Sequence, residues 1–492
     1  MLAAQTQLNE AVNPPNRWRD WAGFGDPCLG AIVATPLRTK SNQARYMPRK
    51  IVIIGANAAG VEAAVAARKT DRACEITLLT KEDVGAYSKC GMPFVLGGEI
   101  ESFDKLVIYP PSNYRQMKLD LRMETTAKSI DVNTRKVDFE DKMGNEGTLE
   151  YDNLIVASGA TPFKPPIEGM DKEGIFTLHT LEDGMKLSSA LKDVHSAAII
   201  GSGLVGLETA EALTKHGIRV TVVEASSSVL SKLLDIDMSQ EVQMSFEKRG
   251  VNFLLGKPAQ AIVGEERAKG VVVADEELPA ELVVNAAGVR PNVDLAKKAG
   301  IRIGETGGIK TNVRMETSVQ GVYAAGDCAE TTHLAVPAPV LPLLGSTAVR
   351  MGQTAGTNAA GGYSTFPGSL CAAVSKMFDF EVGAVGLNQF WAARNGVEVI
   401  SGKMSGYTRA PYYPGALPIK VKLLVEREKS EIVGAQIVGG EEVTQRINAL
   451  SLAIDKRATI FELVKADTCY APSVCEVWEP MVLAAKIAIR KL

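Results

Sequence analysis

Two stretches of this chain follow one plan: an apolar strand, a glycine-rich turn, an alanine-rich helix and a second apolar strand. The more complete copy is "SAAIIGSGLVGLETAEALTKHGIRVTVVEA", residues 196–225. Gly201, Gly203 and Gly206 follow its first strand, and Leu204 and Val205 open the helix. Glycines at this spacing permit a tight turn and close helix-to-strand packing, and they leave the helix N-terminus free to meet a pyrophosphate. Glu224 ends the second strand, where a carboxylate accepts the hydroxyls of an adenosine ribose. No arginine follows at once to take a 2′-phosphate, so the unit is expected to prefer NADH over NADPH.

The first copy, "KIVIIGANAAGVEAAVAARKTDRACEITLLT" at 50–80, departs twice. Asn57 replaces the middle glycine, between Gly55 and the run Ala58, Ala59 and Gly60, and Thr80 stands where the acid is expected. Alone it reads as an ordinary βαβ unit; with the second copy it reads as a second nucleotide fold.

Composition narrows the class. The 492 residues are 46% hydrophobic and 23% charged with net charge −3, which gives no basic surface for nucleic acid or an anionic membrane. No apolar run reaches the ~20 residues that span a bilayer. The seven cysteines, at 28, 74, 90, 328, 371, 469 and 475, form no CxxC pair, and only four histidines accompany them, so no metal centre or disulfide framework is expected. These features fit a reducing cytoplasm. Residues 1–47 lack periodicity and are expected to form a flexible extension before "MPRKIVIIG".

Two further segments, "YDNLIVASGATP" (151–162) and "GVYAAGDCAE" (321–330), resemble the FAD-contact motifs of the pyridine-nucleotide disulfide oxidoreductases, and "NAAGVRPN" (285–292) resembles the return from the NAD to the FAD domain. The resemblance covers nearly everything after Met47. It implies an α/β chain with two Rossmann-like nucleotide-binding domains and an α+β C-terminal dimerisation domain. The expected limits are 48–162 with 284–335 for FAD, 163–283 for NAD, and 336–492 for a homodimerising tail. It implies FAD contacts from Ser158, Gly159, Gly326 and Asp327, the last on the ribityl chain, and further cofactor contacts from Thr80, Lys81, Ser88, Gly288 and Gly345.

"YSKCGMPFVLGG" resembles the active-site stretch of the single-cysteine members: coenzyme A disulfide reductases, NADH oxidases, NADH peroxidases and NADH-dependent sulfur reductases. Val95 stands where a CxxxxC partner of Cys90 would be, and no histidine follows His333. Cys90 is therefore the expected redox sulfur, with Lys89 and the following helix favouring its thiolate. Glu208 matches the glutamate near the nicotinamide–flavin junction. Ala58 occupies the place of the peroxidase histidine, which shifts weight toward coenzyme A disulfide or polysulfide as acceptor. Tyr413, in "YYPG", and Tyr470, in "DTCYAPSVCEVWEP", match tyrosines that serve the partner subunit's site, and Cys469 and Cys475 flank the latter. Two alternatives stay open: an NADH oxidase reducing O₂ at the flavin, and an NADH-sensing flavoprotein acting through partners.

Overall fold

The computed structural model describes residues 47–492; the extension expected before them lies outside the described residues. Strand β1 (Lys50–Ile54) is apolar because it is covered on both faces, and helix α1 (Ala58–Thr70) returns the chain to β2 (Glu75–Leu79), parallel to β1 in register Ile51↔Ile76. After the short helix α2 (Met92–Leu96), strand β3 (Asn153–Val156) joins the other side of β1. The five-stranded parallel sheet is completed by residues 120–122 at one edge and 322–324 at the other.

The second unit repeats the plan. Strand β4 (Ser196–Ile200), helix α3 (Leu204–Lys215) and strand β5 (Arg219–Glu224) build another parallel sheet, with residues 252–255, 175–176 and β6 (Leu282–Asn285). Strand β6 belongs whole to this sheet, so the chain leaves it after Asn285, just past the expected limit at 283. Strand 322–324 goes back to the first sheet beside β3, so the chain passes from the first sheet to the second and returns.

Helix α4 (Gly345–Ala359) corrects the expected tail domain. It packs along α1, because a Cβ on Gly352 or Gly356 would overlap the carbonyl oxygens of Ala59 and Ala63. Two glycines one turn apart thus let the helix backbones touch, and residues 345–359 sit with the first unit although they were expected in the tail. The C-terminal unit begins beyond them. Its antiparallel sheet runs in the order β7 (Ala373–Met377), β8 (Phe380–Gly386), residues 432–439, β9 (Pro418–Glu426) and residues 399–407, backed by helices at 443–455 and 480–489. Among the described residues no helix is long and apolar enough to cross a membrane, and no cluster of side chains has metal-binding geometry.

Candidate active site

The first glycine loop forms a cradle at the C-terminal end of its sheet. Gly55 takes φ +107°, and a Cβ on Gly60 would overlap the Gly55 carbonyl oxygen, so only glycine lets the turn close. Asn57, the departure from the glycine pattern, caps α1: its Oδ1 accepts the Ala58 N–H at 2.7 Å. Its Nδ2 is buried with no protein partner, an amide donor left over in the loop. Ala59 lies against Gly326, where a Cβ would come within 2.9 Å of the alanine methyl. Thr80, just past β2, accepts the Glu82 N–H at 3.2 Å, and Lys81 beside it is exposed.

Ser158 and Gly159 are held by Asn292 from the returning segment. The Ser158 hydroxyl donates to the Asn292 carbonyl at 2.6 Å, the Asn292 side-chain amide donates to the Ser158 carbonyl at 2.9 Å, and the Asn292 N–H donates to Gly159 at 2.9 Å. Residues 160–162 and 289–291 pair as an antiparallel ribbon here. Gly345 starts α4 with open space around it.

The second cradle is more tightly wired. The Glu224 carboxylate accepts the Ser202 N–H and hydroxyl, both at 2.8 Å, and the Ser226 N–H at 2.7 Å. Burial pushes its carboxyl up, but these donors outweigh burial and hold it below the ordinary range. Ser202 and Ser226 were not singled out in the sequence, although both lie within two residues of the motif positions. Gly203 and Gly288 have open space where a side chain would be, while Gly206 is pressed on Gly201. Val205, in the first turn of α3, is exposed.

Cys90 lies in a one-turn 3₁₀ segment, Lys89–Gly91, that leads into α2. Ser88 fastens that turn, its N–H donating to the Leu106 carbonyl at 2.9 Å. Accessible surface and desolvation point different ways at this thiol. Cys90 is exposed on one side, while protein crowds the others and pushes the thiol up, followed by the charges of Glu208 and Asp327. The expected help from Lys89 is absent. Lys89 places its Nζ 3.3 Å from His179 Nε2 and 3.9 Å from Glu82. Burial lowers its ammonium pKa, opposed by Glu82 and Asp327. Burial, then Lys89, brings His179 down to about 4, so the ring is neutral at pH 7. The thiol is raised where the sequence led us to expect a lowered one, because burial, followed by carboxylates from distant segments, disfavours its thiolate.

Glu208 sits one turn into α3, half-buried. Burial brings its carboxyl up to about 7, against a 2.6 Å hydrogen bond donated by the Ser375 hydroxyl on β7. Burial also raises Asp327, with Lys89 opposing. Cys90, Glu208, Asp327 and Lys89 therefore share one electrostatic neighbourhood. Tyr470 instead meets Tyr412, hydroxyl to hydroxyl at 3.3 Å, on the exposed tail; that contact raises its phenol. Tyr412 was not singled out in the sequence, and Tyr413 beside it is exposed. Cys475 Sγ lies 3.2 Å from the Cys469 carbonyl, and both thiols are free.

The sequence signature described as pyridine nucleotide-disulphide oxidoreductase matches residues 49–352, and that of its dimerisation domain matches 372–482. A protein of Methanocaldococcus jannaschii named NADH oxidase is 42% identical over 446 residues, 90% of this chain and 99% of that protein. The NAD(P)H coenzyme A polysulfide/persulfide reductase of Pyrococcus horikoshii is 36% identical over 90% of this chain and 98% of its own. Among solved structures, the NAD-dependent persulfide reductase from A. fulgidus superposes with TM-score 0.88 at 36% identity, covering 90% of this chain and 83% of that one.

Proposed function

The chain belongs to the pyridine nucleotide-disulphide oxidoreductase family, FAD-dependent enzymes that oxidise NAD(P)H, and from that premise we propose that its electrons leave through Cys90 onto a small disulfide or sulfane-sulfur compound. Coenzyme A disulfide and polysulfide are the acceptor class. The observation that carries this reading is that Cys90 presents an exposed thiol on the turn leading into α2, which packs on α3 of the second nucleotide unit.

The residues present fit both cofactors. For FAD, Gly55, Asn57, Ala58, Ala59 and Gly60 would hold the pyrophosphate, with the unpaired Asn57 amide as a ready donor. Thr80 and Lys81 would lie toward its adenosine end; Ser88, Ser158, Gly159, Gly326, Asp327 and Gly345 would lie toward the ribityl chain and ring. For NADH, Gly201, Gly203, Leu204, Val205 and Gly206 would take the pyrophosphate, Glu224 the ribose, and Gly288 would leave room beside it. When bound, FAD supplies the two-electron exchange between NADH and sulfur.

On the protein side, the Cys90 thiolate attacks one sulfur of the acceptor. A mixed disulfide forms, and the first thiol departs with a proton. Two electrons originating in NADH then break the mixed disulfide, and Cys90 and the second thiol are regenerated; the sum is RSSR, NADH and H⁺ to two RSH and NAD⁺. A carboxyl titrating near neutrality at Glu208 suits the proton transfer better than a phenol raised by its partner. The dimerisation domain supports a homodimer, in which Tyr470, with Tyr412 or Tyr413, would approach the partner subunit's site.

The deciding experiment is anaerobic NADH turnover with coenzyme A disulfide, polysulfide and, separately, oxygen. The Cys90→Ser variant should keep NADH-dependent flavin bleaching and lose sulfur turnover. A 42% identical relative named NADH oxidase favours one other reading, O₂ reduction. Oxygen uptake that survives Cys90→Ser, with no sulfur turnover in the parent enzyme, would select it.

A further inference from the structure

The tail carries a pair of sulfurs that the catalytic reading leaves unused. Residues 466–479 join a short helix at 460–465 to the last helix at 480–489. The segment is fixed where it ends: Glu479 pairs with Arg446 at 2.6 Å, and the Lys486 ammonium sits 3.2 Å from the Trp478 ring centroid. Before that point the chain doubles back, with the Val474 and Cys475 N–H groups both donating to the Ala471 carbonyl, at 3.0 and 2.9 Å. The turn lays Cys475 against the segment that holds Cys469. The Cys475 thiol donates to the Cys469 carbonyl at 3.2 Å and accepts the Ala471 N–H at 3.3 Å. A carbonyl oxygen stands about 2.4 Å from its own Cα, so the Cys475 sulfur lies within about 5.6 Å of the Cys469 Cα. Side-chain rotation with a small adjustment of the turn brings the two sulfurs into bonding range, where Cα atoms are usually about 4.4–6.8 Å apart.

We propose that Cys469 and Cys475 form a second thiol–disulfide site, oxidised by the small disulfides the enzyme consumes and reduced by the thiols it releases. Cys469 is exposed and Cys475 half-buried, and both thiols are free. The exposed Cys469, as thiolate, attacks one sulfur of the disulfide RSSR; a mixed disulfide forms and the first RSH departs. Cys475, as thiolate, then attacks the Cys469 sulfur, and the second RSH departs. The sum is RSSR and two cysteine thiols to two RSH and one Cys469–Cys475 disulfide; two electrons pass from the protein to RSSR, and the two cysteine protons leave on the products. Accumulated RSH drives the same steps backward, so the pair follows the balance between the enzyme's substrate and its product.

The position of the pair gives this chemistry a consequence. Tyr470 lies inside the seven-residue ring, 469–475, that the bond closes, and its hydroxyl meets Tyr412. Oxidation thus fixes the backbone on both sides of the tyrosine proposed to approach the partner subunit's site. Among the other described cysteines, Cys74 and Cys328 are buried and Cys371 is half-buried, so Cys90 is the one further exposed thiol that could compete for RSSR.

This inference takes its substrate class from the reading that the enzyme reduces small disulfides, and its test does not pass through turnover. The FAD-loaded Cys90→Ser enzyme, reduced and freed of reductant, is held anaerobically without NADH in mixtures of glutathione and glutathione disulfide. It is then quenched in acid, alkylated, digested and read by mass spectrometry. The peptide carrying Cys469 and Cys475 should escape alkylation and be lighter by two hydrogens. At fixed glutathione disulfide, a tenfold rise in glutathione should lower the ratio of oxidised to reduced pair about a hundredfold, because two thiols enter the equilibrium; a simple mixed disulfide would respond about tenfold. Adding Cys475→Ser should stop the sequence at a mixed disulfide of Cys469 with glutathione. Adding Cys469→Ser should abolish the internal bond and leave the half-buried Cys475 unmodified. Absence of the Cys469–Cys475 bond in protein with full FAD content overturns the proposal, and so does the tenfold response. So, in the parent enzyme, does a covalent dimer that links Cys469 to Cys90 in place of the internal bond. If the internal bond forms while Cys90→Ser retains sulfur turnover, the tail pair stands and the functional reading falls; if it does not form while Cys90→Ser loses sulfur turnover, the reverse holds.

Discussion

Glu224→Ala offers the sharpest test of the nucleotide assignment. The carboxylate accepts two hydrogen bonds from Ser202 and one from Ser226. Truncation has unequal consequences for these donors. The Ser202 hydroxyl can rotate to another acceptor, and the Ser226 N–H is near enough to the surface to meet water. The Ser202 N–H belongs to a residue only 1% exposed and is left unpaired, at a cost of about 1–3 kcal/mol to the loop. Loss of the charged acceptor for the ribose hydroxyls removes about another 1.5–3 kcal/mol of binding. Even the ribose term alone corresponds to an increase in the NADH dissociation constant of about 10- to 100-fold. Rapid-mixing measurement of flavin bleaching against NADH concentration reads this directly, and bound FAD, held by the other cradle, should be unchanged. Glu224→Gln should fall between the two, since its amide end presents a donor to a donor. The carboxyl is depressed in the folded protein, so its contribution is complete above the unfolded glutamate value of about 4.3 and is lost only as pH falls through the lower folded value. Pairing Glu224→Ala with Ser226→Arg should turn the preference toward NADPH. An NADH affinity within twofold of the parent in Glu224→Ala, or tighter NADPH binding by the parent, would refute the reasoning.

Gly60→Ala should yield protein without yellow colour, because its new methyl would overlap the Gly55 carbonyl and push open the first loop; flavin absorbance per protein is the check. Lys422→Met should lower stability by about 3–5 kcal/mol in urea titration, since Lys422 lies 2.9 Å from Asp235 and 2.7 Å from Asp237, and its loss strands the buried Asp235; adding Asp235→Asn should recover part of this. Tyr470→Phe and Tyr412→Phe should each slow sulfur turnover and leave NADH-dependent bleaching intact. Mixed dimers of Cys90→Ser and Tyr470→Phe chains should exceed the average of the parents if the site is shared, and activity equal to that average would oppose sharing.

The parts of the molecule legible in the sequence are those whose causes are local. Strand β1, the Gly55 turn and α1 are neighbours in the chain, so apolar run, glycine and alanine-rich helix announce one another. Strands 418–426 and 432–439 likewise pair antiparallel across the short polar turn between them. Even Glu224 and Ser202, 22 residues apart, belong to one βαβ unit. Helix α4 was assigned to the wrong unit because its partner is α1: Gly352 and Gly356 look like ordinary small residues until the carbonyls of Ala59 and Ala63 lie against them. Cys371 stands with φ +53° just ahead of β7, a backbone conformation that its side chain does not announce.

The sulfur site failed to be legible in a more instructive way. Its residue types were found, but its electrostatics were inferred from sequence neighbours, Lys89 and the next helix. In the folded chain Lys89 is drawn to His179, 90 residues away, and Glu208 is held by Ser375. The direction of the shift at the thiol is set by burial and then by Glu208 and Asp327, because desolvation and Coulomb interactions depend on spatial surroundings, and sequence adjacency constrains neither. Binding FAD and NADH needs two cradles that each βαβ unit can form by itself. Choosing among disulfide, polysulfide and oxygen needs a sulfur whose protonation is set by burial and by carboxylates from both nucleotide units. Substitution of Glu208, whose charge acts on the thiol, should therefore move acceptor preference with little effect on NADH affinity, whereas substitutions in either glycine loop should weaken cofactor binding without re-ranking the acceptors. Measuring both quantities across one set of variants separates the two kinds of residue, and a glycine-loop variant that re-ranks acceptors at full FAD occupancy would break the division.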